Sequence, residues 1–225
     1  MKRIITILAA IIMSLALLAL VIDSAALSDG LMLRLMRRCA PPSTTHLPAE
    51  EYEPVVRMIV GYLKGDRPDF QHFFTVNGME YAAFNAKEQQ HMADVQGLFR
   101  LCDGQVWMLI AAVTVAALTG CHLFGSERLL RVFRRTLLTV LVAVVVLVAL
   151  ACIDFDGLFI LFHRIAFTND LWLLDPRTDL LIRLMPIGFF IRYAAIISGG
   201  WLLGMGSLLI IVSKQIRTLR TKEGE

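Results

Sequence analysis

Four runs of apolar residues dominate the pattern along the chain, at positions 4–22, 106–124, 136–152 and 187–212. The first carries only Thr6 and Ser14 as polar side chains, and the second has His122 as its one acidic or basic residue. The third is almost pure Leu, Val and Ala, and the fourth is interrupted by Arg192 near its start. At about 1.5 Å per residue, each is long enough or nearly so to cross roughly 30 Å of hydrocarbon as a helix. In lipid the backbone must satisfy itself, which a single helix does and an isolated strand does not. The pattern predicts four transmembrane helices. Ser24-Ala25-Ala26 resembles a signal-peptidase site, but the apolar run before it is longer than a signal peptide uses, so the first span is expected to stay in place.

The polar stretches between the runs are patterned too. Residues 31–38 mix basic and apolar positions ahead of Pro41-Pro42. Residues 47–63 read as a helix: Pro48 suits its first turn, Glu50, Glu51 and Glu53 suit its N-terminal dipole, and Gly65 ends it. Val55, Ile59 and Leu63 recur on one face. Within 70–84, Asn77-Gly78 between aromatic and β-branched positions predicts a two-residue hairpin. Residues 85–101 read as a second helix, with Asn85 and Glu88 spaced as a capping box. The stretch 153–186 is rich in Phe and Trp, as interfacial segments are, and Asp175-Pro176 opens a short helix that ends before Pro186.

Composition agrees with a membrane protein: 57% of residues are apolar and 18% charged, against roughly a quarter charged in soluble domains. Charge sets the orientation. Lys2 and Arg3, the arginines at 128, 131, 134 and 135, and the cations at 214, 217, 220 and 222 make ten basic residues against three acids, whereas the remainder of the chain has twelve cations and sixteen acids. All three basic segments fall on one side of a four-span chain, which places them in the cytoplasm. The overall basicity is therefore a topological signal and not a nucleic-acid footprint. Cys121 and Cys152 sit at span ends, Cys39 and Cys102 both lie outside with their pairing open, and no metal-ligand spacing occurs.

The chain lacks a Gly-x-Ser-x-Gly elbow, a His-Glu-x-x-His pair, a phosphate loop and a dinucleotide fingerprint. Of five histidines, His46 and His72 read as incidental, and His122 as snorkelling from the cytoplasmic end of the second span. His91 and His163 stand out, because His91 shares a helical face with Val95 and Phe99, His163 falls just beyond the third span, and both lie outside near one interfacial level, where an ionisable group is a functional candidate.

Two blocks of residues point to a family. One is Tyr62-Leu63-Lys64-Gly65 followed by Glu88-Gln89-Gln90-His91-Met92-Ala93-Asp94-Val95. The other is Phe162-His163-Arg164-Ile165-Ala166-Phe167-Thr168-Asn169-Asp170-Leu171-Trp172, continuing through Asp175-Pro176, Asp179 and Pro186 to Phe189-Phe190. In this order and topology the sequence resembles the lipoprotein intramolecular transacylases, small four-span membrane proteins of low-GC Gram-positive bacteria. The resemblance implies an acyltransferase that moves the sn-2 acyl chain of a diacylglyceryl-modified N-terminal cysteine to that cysteine's own amino group. It implies His91 and His163 as catalytic residues, diacylglyceryl-modified lipoproteins and membrane lipids as partners, and no cofactor.

Amine attack on an ester needs a base for the amine proton and an acid for the departing oxygen, and imidazole serves both roles near neutral pH. Around the histidines, Asp94 is a candidate to orient His91, Asn169 to hold a carbonyl oxygen, Phe162, Phe167 and Trp172 to line the pocket, and Arg192 to donate to a substrate carbonyl. Phenylalanines around His163 disfavour its cation, whereas Glu88 and Asp94 flank His91 and favour one. The expectation is that His163 takes the amine proton and His91 helps protonate the alkoxide. A bis-histidine haem carrier and a non-enzymatic scaffold are the alternative readings.

The resulting expectation is a mainly α protein, a four-transmembrane-helix bundle with a small extracellular α/β cap, in the cell membrane with both termini cytoplasmic. Its segments are a first span (1–22), the cap (23–105), a second span (106–124), a cytoplasmic basic loop (125–135), a third span (136–153), an extracellular interfacial segment (154–186), a fourth span (187–213) and a cytoplasmic tail (214–225). The sequence leaves the oligomeric state open.

Overall fold

The structure is a computed structural model that describes residues 2–101, 113 and 126–223. The second apolar run, apart from Val113, lies outside the described residues, as do Cys102, Cys121 and His122, and with Cys102 its pairing to Cys39. Among the described residues three helices are long and apolar enough to cross a membrane: α1 (Lys2–Ala26), α6 (Glu127–Ile153) and α9 (Ile187–Glu223). The remaining elements are α2 (Asp29–Cys39), α3 (Pro42–Thr45), α4 (Tyr52–Lys64), β1 (Phe73–Val76), β2 (Met79–Ala82), α5 (residues 86–101), α7 (Phe155–Ala166) and α8 (Leu180–Leu184). They form two compact units.

One unit draws on α1 as far as Ile22, on α6, and on α9 from Ile197 onward. Its interior is made by Ala10, Leu130, Phe133, Leu137, Trp201 and Met205. Val142, Val145, Val146, Leu147 and Leu150 of α6 point outward, as lipid-facing positions do. Gly200 and Gly204 let α9 approach α1 closely, since a Cβ at Gly204 would stand 2.8 Å from the Leu17 methyls and one at Gly200 would stand 3.0 Å from Val21. Trp201, between them, donates its indole N–H to the Ser14 carbonyl at 3.0 Å.

The second unit holds α2 to α5, the hairpin, α7, α8 and the start of α9. The mixed stretch at 31–38 is an amphipathic helix capped by Ser28, with Met32, Leu35 and Met36 buried and Arg34, Arg37 and Arg38 exposed. α2 packs on α4, whose Val55, Ile59 and Leu63 are buried. The helix at 47–63 opens as a single 3-10 turn (Ala49–Glu51) before α4 and ends at Gly65, which adopts φ +81°. The hairpin turns at Asn77 and Gly78, both at positive φ, with Val76 opposite Met79 and Phe74 opposite Tyr81. Gln71 closes its base, donating to the Phe84 carbonyl and accepting from the Phe84 N–H. The short helix expected from Asp175 begins later, at Leu180, because Asp175 instead pairs with the Arg177 guanidinium in a turn and Asp179 stands at the N-cap.

The close approach of α9 to α1 is testable. Gly204→Ile forces the Leu17 side chain and the two helices apart, and overpacking of this kind costs about 1–3 kcal/mol. Gly206 faces open space. Thermal unfolding in detergent is expected to show a lower midpoint for Gly204→Ile and little change for Gly206→Ala.

Candidate active site

α5 and α7 each contribute one histidine, and both belong to the second unit. α5 starts with a reciprocal cap: the Asn85 side chain accepts from the backbone N–H of Lys87 and of Glu88, and the Glu88 carboxylate accepts from the Asn85 N–H. His91 follows one turn later. α7 starts at Asp154, whose carboxylate accepts from the Gly157 N–H at 2.8 Å, and carries His163 in its last turn.

The two imidazoles lie 6.2 Å apart between centroids, 7% and 8% exposed. Phe167 contacts both, at 5.3 Å from His91 and 5.5 Å from His163. Phe159 lies 4.2 Å from the His163 ring and Trp172 5.1 Å, while Phe162 meets it edge-on at 5.3 Å although 54% exposed. Phe190 backs Phe159 at 4.9 Å. An open cleft of about 280 Å³, lined by Arg164, Phe167, Asn169, Asp170 and Trp172 among others, shares Phe167 and Trp172 with this cluster.

The ring nitrogens differ in their partners. His163 Nδ1 lies 2.7 Å from the Phe159 carbonyl, which can only accept, so Nδ1 carries the hydrogen and Nε2 of the neutral ring carries a lone pair. Nδ1 of His91 is buried without a hydrogen-bond partner among the described residues. His163 is thus held in one tautomer and His91 is not.

Burial pushes both imidazoles below their ordinary range. His91 falls to about 4: burial contributes most, His163 and Lys87 add to it, and Asp94 opposes it. The bonded Phe159 carbonyl partly opposes the effect at His163. The carboxylates beside His91 therefore do not make it a cation, contrary to the expectation from sequence. Glu88 spends its oxygens on the backbone N–H groups of Asn85 and Leu181, and Asp94 accepts from the Asn169 amide at 2.9 Å.

The other candidates divide. Phe162, Phe167 and Trp172 surround His163. Asn169 is joined to Asp94 and also accepts from the Leu171 N–H, so in this state its amide is engaged in holding the loop. Arg192 is exposed and donates to the Gly188 carbonyl one turn back along α9. Sequence reasoning gave no site role to Phe190, which only the meeting of α7 and α9 brings behind Phe159, or to the Phe159 carbonyl, whose signal is the i, i+4 spacing to His163. Among the described residues no group of three His, Cys, Asp or Glu side chains could hold a metal ion.

A family model described as lipoprotein intramolecular transacylase matches residues 7–190, a span that includes both histidines. Among solved structures, the membrane integral lipoprotein intramolecular transacylase from Bacillus cereus superposes with a TM-score of 0.74 at 20% identity, over 99% of this chain and 97% of that one. Two variants of that protein, with one histidine replaced by arginine and by alanine, superpose at 0.69, with 20% and 21% identity. They cover 99% of this chain and, respectively, 93% and 95% of theirs. These likenesses establish the fold. No curated protein sequence matches the chain.

The suppressed basicity of the histidines has a signed consequence. Between the ordinary imidazole value near 6.5 and the folded value of about 4 for His91, the unfolded chain binds protons that the folded chain does not. Stability is therefore lost as pH falls through that window. Thermal midpoints measured from pH 7 to pH 4 are expected to drop, and His91→Phe is expected to show a smaller drop over the same range.

Proposed function

Because the chain belongs to the lipoprotein intramolecular transacylase family, we propose that it moves the sn-2 acyl chain of a diacylglyceryl-modified N-terminal cysteine onto the amino group of that cysteine. The observation that carries the mechanism is the pair of buried, neutral imidazoles, one with its lone pair aimed by a fixed tautomer. Family membership favours this reading over the haem carrier and the scaffold.

The reaction is an isomerisation. A nitrogen–carbonyl carbon bond forms, the sn-2 ester carbon–oxygen bond breaks, and one proton passes from the amine to the glycerol oxygen. His163 takes the amine proton on Nε2 as nitrogen attacks, and the imidazolium so formed gives it to the departing oxygen. Its depressed basicity assists the second half, since a cation held in an apolar pocket releases its proton readily. His91, neutral throughout, donates an N–H to the tetrahedral oxyanion, a contribution typically worth about 10²–10³ in rate. That assignment replaces the protonated His91 expected from its neighbouring carboxylates. Donor and acceptor belong to one molecule, so no enzyme nucleophile is needed. An aromatic pocket that holds them in contact supplies proximity, worth up to roughly 7–11 kcal/mol.

We further infer four crossings with both termini in the cytoplasm and the second unit outside, supported by the basic residues of the α6 start, the N-terminus and the α9 end. A reporter fused after Arg131 is expected to read cytoplasmic and one at Asn77 external; an external Arg131 would overturn the topology.

Mass spectrometry of the N-terminal peptide of a lipoprotein, produced with and without this chain, tests the function. N-acyl lyso-form peptide is expected only with it. His163→Asn, which lacks a base, is expected to lose at least about 10²-fold in rate. His91→Gln keeps an N–H donor and is expected to retain more activity than His91→Phe. The acid limb of kcat/KM should follow the substrate amine, at ~8, and steepen further only well below the ordinary imidazole value, because burial keeps both histidines neutral there. Wild-type product levels from His163→Asn would sink the mechanism.

A further inference from the structure

Glu88 is 1% exposed, and glutamate is almost never so deeply buried without a partner. Among the described residues no lysine, arginine or histidine pairs with it. Its partners are backbone amides: the Asn85 N–H on one oxygen at 2.7 Å and the Leu181 N–H on the other at 2.6 Å. One carboxylate thus caps two helices, α5 and α8, from residues 93 positions apart. Asn85 reinforces the joint, since its side-chain amide donates to Asp179 at 2.8 Å, and Asp179 in turn accepts from Thr178 and from the Asp175 N–H.

The segment clasped in this way, residues 167–181, carries Phe167 and Trp172 against His163. Two more contacts tie it to α5: Lys87 donates to the Leu173 carbonyl, and Asn169 donates to Asp94. His91 sits between Glu88 and Asp94, three residues from each. The two carboxylates that flank it in sequence both turn to the strap and hold α5 against it.

Building on the transacylase reading, we propose that Glu88 is a positioning residue for the acyl transfer, setting the place at which α5 presents His91 to His163 and to the substrate. Glutamine in its place offers one acceptor and one donor to two N–H groups, so one cap must open. α5 then shifts or frays at the turn that bears His91, and water reaches the ring. Misplacement of about 1 Å in an aligned site can cost 10²-fold in rate.

The test uses the full chain in lipid nanodiscs with a synthetic diacylglyceryl lipopeptide, comparing wild type and Glu88→Gln. Three quantities are read: kcat and KM, the thermal midpoint, and the titration of His91 by NMR of labelled histidine, with His91→Phe for assignment. Burial lowers the His91 titration most, and the charged groups that add to or oppose it, His163, Asp94 and Lys87, are all unchanged in the variant. A kcat reduced about 10-fold or more is expected, with KM within about two-fold. The His91 midpoint is expected to move up from about 4 towards its ordinary value, in protein still folded at the assay temperature. Wild-type kcat in Glu88→Gln would overturn the proposal, as would a loss of rate that tracks only the folded fraction while His91 titrates as before. Should the amide not fold, Glu88→Asp, which keeps the charge but falls a methylene short of bridging both helices, takes the same readouts. A wild-type chain that yields no lyso-form peptide would fail the transacylase reading, and the His91 titration would still decide the role of Glu88.

Discussion

Two imidazoles 6.2 Å apart and more than nine-tenths withdrawn from solvent share one electrostatic constraint: water is too scarce to stabilise a charge on either ring, and a charge on one opposes a charge on the other. The arrangement around them follows from keeping both neutral at rest. The partner given to His163 is a carbonyl, which fixes a tautomer without supplying a counter-charge. The acids nearest in sequence to His91 are occupied elsewhere, on amides of the backbone and of Asn169. Aromatic rings fill the remaining sides. A site built this way tolerates a proton only in passing, which suits a reaction in which a proton is borrowed and returned.

Much of this was legible in the sequence where the signal is local. Three of the apolar runs are long helices, Asn77-Gly78 forms the turn its chemistry demands, and Asn85 with Glu88 forms the capping box its spacing implies. The two histidines stood out because both fall outside near one interfacial level and within the two blocks that carry the family resemblance. The charge state of His91 was not legible. Spacing of three residues places a carboxylate near a ring but does not say which way either side chain turns. Here burial outweighs Asp94, and Glu88 is committed to an amide 93 positions further along the chain. The helical nature of 31–38 was open to a reading of its period, since Met32, Leu35 and Met36 lie on one face and the arginines on another. The start of α8 depended on a competition between a proline-led helix and the pairing of Asp175 with Arg177, which composition alone does not decide.

The segment between α7 and α9 links these observations. It has little regular structure apart from the five residues of α8, yet it is anchored at Asn169, Leu173, Asp179 and Leu181 by Asp94, Lys87 and Glu88 of one helix, α5, and by its cap Asn85. A loop is normally the mobile part of a site, and hydrogen bonds at intervals along it convert it into a wall. Both aromatic residues that it presses on His163 are thereby held by the element that carries the other histidine. The spacing of the pair is a property of this joint and not of either helix alone.

The indole of Trp172 lies 5.1 Å from the His163 ring, inclined by 35°. An imidazolium draws electron density from an excited indole more strongly than a neutral imidazole does, so its light output falls when the ring beside it is charged. Trp201, enclosed by α1 and α9 and hydrogen-bonded to Ser14, has no such neighbour among the described residues. The protein thus carries its own optical gauge of the proton on His163, in the emission of a side chain it already uses to line the pocket.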